Sequence, residues 1–166
     1  MFSNLFKKRK LQIFAPVNGE VLSLDKVPDP VFSEKMMGDG VAIMPDEGNI
    51  HAPIEGTVIL MPDTKHAIGI RSKDGTEILI HIGLETVSLK GNGFNTHVTM
   101  GDSIAIGQLL IEVDWTYLKE HAESIITPIV ITNSSDRVIQ FENIKQGFAG
   151  ETVLMTVSPL SRINGQ

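Results

Sequence analysis

The sequence predicts an all-β fold, an antiparallel sandwich or barrel. Three observations lead there. From residue 11 onward the chain reads as short runs rich in β-branched and aliphatic residues, spaced at near-regular intervals. Gly- and Pro-containing turns separate those runs, which is the pattern of strands joined by tight connections. Helical periodicity shows in one short segment only.

In chain order the expected strands are Gln12–Phe14, Gly19–Ser23, Gly40–Met44, Gly48–His51, Gly56–Leu60, Ala67–Arg71, Glu77–Ile82, Ser103–Ile106, Leu109–Val113, Pro128–Thr132, Val138–Phe141 and Thr152–Val157. Turn chemistry sits between them: Val17-Asn18-Gly19, Pro45-Asp46-Glu47-Gly48, Lys73-Asp74-Gly75, Gly91-Asn92-Gly93 and Met100-Gly101-Asp102. Asn, Asp and Gly supply the left-handed and side-chain-bonded conformations that such turns need. Trp115–Ala122 has mixed polarity and no Gly or Pro, so it reads as a short helix. Two phrases recur in the same order. Ala15-Pro16-Val17-Asn18-Gly19-Glu20-Val21 returns as Ala52-Pro53-Ile54-Glu55-Gly56-Thr57-Val58, and Met37-Gly38-Asp39-Gly40-Val41-Ala42-Ile43 returns as Met100-Gly101-Asp102-Ser103-Ile104-Ala105-Ile106. They suggest a duplicated β unit, without the constant short period of a solenoid.

With 166 residues the chain suits one domain, taken as residues 11–166 behind a flexible basic tail of residues 1–10. Lys7, Lys8, Arg9 and Lys10 place four positive charges in that tail, leaving ten basic against twenty acidic side chains in the body. An acidic body argues against nucleic-acid binding. The tail lacks the apolar core of a secretory signal, and transient contact with an anionic membrane is the one membrane role it suggests. No apolar run is long enough to span a bilayer. The absence of cysteine excludes a disulfide scaffold, a thiolate zinc site and a thiol nucleophile, and fits a cytoplasmic location.

The five histidines are the candidate reactive groups, because imidazole alone changes charge near neutral pH unaided. His51, His97 and His121 have contexts that suit structural or surface roles. His81 closes the apolar run Glu77–Ile80 and is followed by Ile82 and Gly83, so its ring must find a partner or face a functional surface. A hairpin about Lys73-Asp74-Gly75 pairs residues whose numbers sum to about 148. That register sets His66 near Ile82, within reach of His81.

The stretch His81-Ile82-Gly83-Leu84-Glu85-Thr86-Val87-Ser88-Leu89-Lys90-Gly91-Asn92-Gly93-Phe94 resembles the phosphorylation-site signature of the glucose-family enzyme IIA proteins of the phosphoenolpyruvate:sugar phosphotransferase system. Ala15-Pro16 through Gly19, Val27 through Lys35, Gly38 through Ile43, Thr64-Lys65-His66-Ala67 and Thr127 through Ile131 resemble that family in the same order, so the likeness covers about Phe14 to Val157. The resemblance implies a barrel-sandwich hybrid, a duplicated motif with one or two short helices. It also implies a monomeric phosphocarrier in which His81 takes a phosphoryl group from the carrier protein HPr and passes it to a cysteine of a sugar-specific IIB domain. No cofactor or metal is implied. His66 would be the second active-site histidine, donating to the phosphoryl oxygens, with the Thr64 hydroxyl fixing its tautomer. Partner contacts would come from Val31, Phe32, Met36, Met37 and Ile68, with Asp29 and Glu85 facing basic groups. Glu85 stands where Asp is more usual, and Ile68 where an aromatic is familiar.

Two other readings compete. Ala-Pro-x-x-Gly phrases also resemble biotinyl- and lipoyl-type carrier domains, for which Lys35 in Glu34-Lys35-Met36-Met37 is the nearest modifiable lysine. A zinc hydrolase on His66 and His81 would need a third ligand. A regulatory binder that changes partners with the phosphorylation state of His81 is compatible with the carrier role.

Overall fold

The alternating runs become fourteen strands in a computed structural model that describes residues 10–160. They are β1 (Leu11–Phe14), β2 (Asn18–Ser23), β3 (Asp39–Glu47), β4 (Ile50–His51), β5 (Gly56–Leu60), β6 (Ala67–Arg71), β7 (Glu77–His81), β8 (Phe94–Thr96), β9 (Ser103–Ile104), β10 (Leu109–Val113), β11 (Thr127–Ile131), β12 (Arg137–Phe141), β13 (Gln146–Gly147) and β14 (Val153–Pro159). Two short α-helices, α1 (Pro30–Ser33) and α2 (Trp115–His121), and 3-10 turns at Leu24–Lys26, Thr86–Leu89 and Ser134–Asp136 complete the described elements. All the strand pairings are antiparallel, as expected. The expected tail, residues 1–10, lies outside the described residues except for Lys10.

The strands form one eight-stranded sheet, β13-β2-β3-β11-β7-β6-β5-β9, and two three-stranded sheets, β1-β14-β12 and β4-β10-β8. The large sheet reads the same from either edge about a pseudo-twofold axis between β7 and β11, where Ile80 faces Ile129. Edge pairings match across it: Gly19 with Gly147 and Glu20 with Gln146 on one side, Gly56 with Ile104 and Thr57 with Ser103 on the other. Backbone bonds to the small sheets match too. Ala15 donates to the Thr152 carbonyl and accepts from Gly150; Ala52 donates to the Gln108 carbonyl and accepts from Gly107.

The Ala-Pro-x-x-Gly repeat therefore marks equivalent strands, β2 and β5. The Met-Gly-Asp repeat does not. Its first copy enters β3, an inner strand, whereas its second leads into the edge strand β9; the axis pairs β3 with β6 and β9 with β13. What the two copies share is local, a glycine in a positive-φ turn (Gly38 at 127° and Gly101 at 92°).

The middle of the large sheet is covered on both faces. Ile78 and Ile80 of β7 point into the main core with Ile13, Ile43, Ile54, Ile68, Ile70, Ile129 and Ile131. Leu79 points the other way, into a smaller cluster of Leu24, Val27, Phe32, Ala42, Ala67, Leu84, Ile126 and Val130. With a side-chain period of two, His81 follows Leu79 onto the face of the smaller cluster, at the point where β7 ends. Segment 24–38, which carries α1, covers that cluster with Leu24, Val27 and Phe32.

The departures from expectation have local causes. β8 and β13, of three and two residues, are too short to show a period. α1 is one turn, opened by Asp29, whose carboxylate accepts from the Val31 N–H at 3.0 Å, with Pro30 at the first helical position. β4 loses Gly48 and Asn49 because the Trp115 indole N–H donates to the Gly48 carbonyl and the Asn49 side chain accepts from the Val113 N–H.

Candidate functional site

The hairpin about Lys73-Asp74-Gly75 has the expected register: Ala67 faces His81, Ile68 faces Ile80 and Gly69 faces Leu79. One step further the Ile82 N–H donates to the His66 carbonyl at 2.7 Å. Just before β6 the chain turns sharply, with the Lys65 N–H donating to the Pro62 carbonyl and Lys65 itself in the left-handed region at φ 59°. The outcome is two imidazole rings with centroids 5.0 Å apart, set edge to face at 80°. The Phe32 ring stands 5.0 Å from His81 on its α1 side.

The hydrogen bonds fix which nitrogens are free. His81 Nδ1 lies 2.8 Å from the Gly83 carbonyl, which can only accept, so Nδ1 carries the proton. In the neutral ring Nε2 then holds the lone pair. His66 Nδ1 shares a 2.7 Å hydrogen bond with the Thr64 hydroxyl, leaving its Nε2 unengaged as well. Only glycine suits position 83, where φ is 73° and a Cβ would come within 2.8 Å of the Ser124 carbonyl oxygen and of Thr86 Cγ2. Gly83→Ala is therefore expected to lose about 1–2 kcal/mol from the left-handed backbone alone and more from the clash, and to displace the carbonyl that orients His81. Urea unfolding and the His81 ring tautomer by NMR check this.

Both rings are held in the neutral form. Burial pushes His66 down to about 4, aided by repulsion from His81. Burial also lowers His81, partly offset by the Gly83 carbonyl and by the carboxylates of Asp29 and Glu85. For His66 the unfolded chain takes up a proton near pH 6.5 that the folded ring refuses until about 4. Stability therefore rises with pH through that window and levels off above it. His66→Gln is expected to reduce the slope of unfolding free energy between those pH values; an unchanged slope would contradict the neutral, desolvated ring.

His81 lines a cleft of about 210 Å³ with Asp29, Val31, Phe32, Met37, Glu85, Thr86 and Val87. Three larger hollows, of about 320, 360 and 530 Å³, are lined by no histidine. Of the lining residues Val31 and Met37 are exposed, at 38% and 40%, as is Met36, the chain neighbour of Met37, at 69%. Val87, at 51%, joins them; the sequence reading misses it, and its one signal is its place two residues beyond Glu85 in the stretch from His81 to Phe94. Two expected partner contacts need correction. Ile68 is fully buried in the main core, because it lies on the opposite face of the sheet from Ala67 and His81. Phe32 is 4% exposed and forms the wall beside His81 rather than a docking surface. Glu85 sits in the left-handed region at φ 59°, just ahead of the 3-10 turn Thr86–Leu89.

The remaining histidines have structural surroundings. His51 Nδ1 meets the Asn49 carbonyl, His97 pairs with Glu112 at 3.4 Å, and His121 stacks on Tyr117. The competing readings find no support. Lys35 lies just past the end of α1, 3.6 Å from Asp39, and not at a β-hairpin tip as a carrier lysine would. Among the described residues no group of three or more His, Asp or Glu side chains is placed to hold a metal ion. Nor is any helix there long and apolar enough to cross a membrane.

Known proteins resemble this chain in sequence and in fold. Residues 11–137 match the family model described as phosphoenolpyruvate-dependent sugar phosphotransferase system, EIIA 1. A glucose-specific EIIA component of Halalkalibacterium halodurans is 45% identical over 95% of this chain and 98% of its own length. A glucose-specific EIICBA component of Staphylococcus carnosus is 55% identical over 81% of this chain, which spans 20% of that longer protein. The solved structure titled glucose permease IIA from Mycoplasma capricolum superposes with a TM-score of 0.85 at 40% identity, covering 89% of this chain and 96% of that one. The chain thus spans about a fifth of some relatives and nearly all of others. It belongs to the enzyme IIA family of the phosphoenolpyruvate-dependent sugar phosphotransferase system, as a component of that phosphoryl-transfer system.

Proposed function

We propose that residues 11–166 form one cytoplasmic carrier domain that takes a phosphoryl group from phospho-HPr on Nε2 of His81 and hands it to a cysteine of a IIB domain for sugar uptake. The observation that carries this reading is the Gly83 carbonyl holding the Nδ1 proton of His81 beside a second neutral histidine. The Nε2 lone pair attacks phosphorus in line; the new N–P bond forms as the donor's N–P bond breaks, and the donor imidazole leaves with its electron pair. Nδ1–H stays on the Gly83 carbonyl throughout. Onward transfer reverses the pattern, with a thiolate attacking phosphorus and His81 regaining its lone pair. Each step exchanges one high-energy bond for another, so catalysis rests on alignment and charge stabilisation and requires no metal or cofactor.

His66 supplies the charge stabilisation. In this reading the Thr64 hydroxyl, 2.7 Å from His66 Nδ1, donates to it, and the ring's proton sits on Nε2, available to the phosphoryl oxygens. Val31, Met36, Met37 and Val87 offer an exposed apolar rim that two unrelated partners can share, with Asp29 and Glu85 available to basic partner groups. Incubation with phosphoenolpyruvate, enzyme I and HPr should place acid-labile phosphate on the chain at one group per molecule. Failure to label under conditions that phosphorylate HPr would overturn the reading.

A further inference from the structure

We propose that Met36 and Met37 are an oxidation site through which hydroperoxides reversibly block docking at His81, an inference that rests on the carrier reading above. The chain has no cysteine, so its oxidisable sulfur is confined to seven methionines. Met155 is fully buried, and Met44 and Met61 are partly buried against the cores. Met36, Met37 and Met100 are the exposed ones among the described residues, at 69%, 40% and 62%. Two of those three stand together at the proposed docking rim, and Met37 lines the cleft that contains His81.

Their backbone is held in place beside α1. The N–H groups of Met36 and Met37 both donate to the Val31 carbonyl, at 3.1 and 3.3 Å, tying them to α1. Gly38 follows at φ 127°, packed so closely on β11 that a Cβ would meet the Ile131 carbonyl oxygen at 2.1 Å. Lys35 bridges to Asp39 across the same turn. A chemical change at either sulfur is therefore presented directly to an arriving partner.

The step balances simply. The thioether sulfur attacks the outer oxygen of a hydroperoxide, the O–O bond breaks, the sulfur gains oxygen and loses two electrons, and the peroxide leaves as water or an alcohol. A flexible apolar side chain becomes polar and chiral. At the rim this removes apolar contact with an arriving partner. A methionine sulfoxide reductase reverses the change, removing the oxygen as water while a dithiol becomes a disulfide. His81 itself is untouched.

The test treats the full chain with dilute hydrogen peroxide and follows each methionine by peptide mass. Met36 and Met37 should gain oxygen before Met44, Met61 and Met155. Phosphoryl acceptance from phospho-HPr should fall tenfold or more, while labelling of His81 by the small donor phosphoramidate is retained, and reductase treatment should restore acceptance. Met36→Leu/Met37→Leu, whatever its starting rate, should lose none of it on peroxide treatment, whereas Met100→Leu should lose as much as the natural chain. Normal acceptance that peroxide leaves unchanged, or equal loss in the double variant, overturns the inference alone. Untreated protein that accepts nothing from phospho-HPr overturns the carrier reading and the inference with it.

Discussion

His81→Gln is expected to abolish phosphoryl acceptance from phospho-HPr entirely, with no residual labelling at any other residue. The amide nitrogen of Gln has its lone pair delocalised into the carbonyl and cannot attack phosphorus, whereas neutral imidazole keeps a free pair on Nε2. The fold should tolerate the change. His81 lies at the end of β7, and it contributes to neither core cluster. Its ring leaves Phe32, which is anchored separately in the smaller cluster. Acid-labile label per chain and the urea midpoint measure the two halves of the expectation. Undiminished labelling would place the acceptor elsewhere, and a large fall in midpoint would mean that lost activity reports lost structure.

The second large effect separates the two histidines. His66→Gln should still accept a phosphoryl group, with a loss of tenfold or less, but pass it to IIB about 10²–10³-fold more slowly, the usual cost of removing one preorganised donor from a developing anion. The asymmetry comes from charge. On acceptance a neutral imidazole displaces another imidazole; on donation an anionic thiolate approaches a dianionic phosphoryl group, and more negative charge gathers where His66 can donate. Thr64→Val should show a weaker version of the same split, because it releases the His66 tautomer without removing the ring. Single-turnover transfer to a purified IIB domain measures both. Equal rates of onward transfer in His66→Gln and the natural chain would remove the donor role.

Much of this site is legible in the sequence because its geometry follows from a hairpin with a clear turn. Lys73-Asp74-Gly75 sets the register, and the register alone brings His66 to the His81 end of the sheet. β5, β6 and β10 fall at their expected boundaries, since each is a five-residue run cut by unambiguous turn residues. The face of Ile68 is legible in the same register: Ala67 stands opposite His81, so Ile68 belongs on the other side of the sheet. Its expected partner contact comes from the family resemblance alone, and because Ala67, Ile68, Gly69 and Ile70 are all buried, no polar alternation in β6 flags the conflict. Phe32 shows the opposite difficulty: a residue beside the reactive ring can be its wall and not its doorstep, and only burial separates the two. The duplication is legible in one phrase and misleading in the other, because Gly-Asp turns serve any strand end while Ala-Pro-x-x-Gly carries a particular set of inter-sheet bonds.

In the proposed carrier the Gly83 carbonyl, by holding the Nδ1 proton, reserves Nε2 of His81 for phosphorus. Two-bond ¹H–¹⁵N NMR on the ¹⁵N-labelled protein, before and after phosphorylation through HPr, tests it most directly. The free protein should show the His81 proton on Nδ1, and the phosphorylated protein should show the N–P bond at Nε2 with Nδ1–H retained. A phosphoryl group on Nδ1, or on any residue other than His81, would contradict the account.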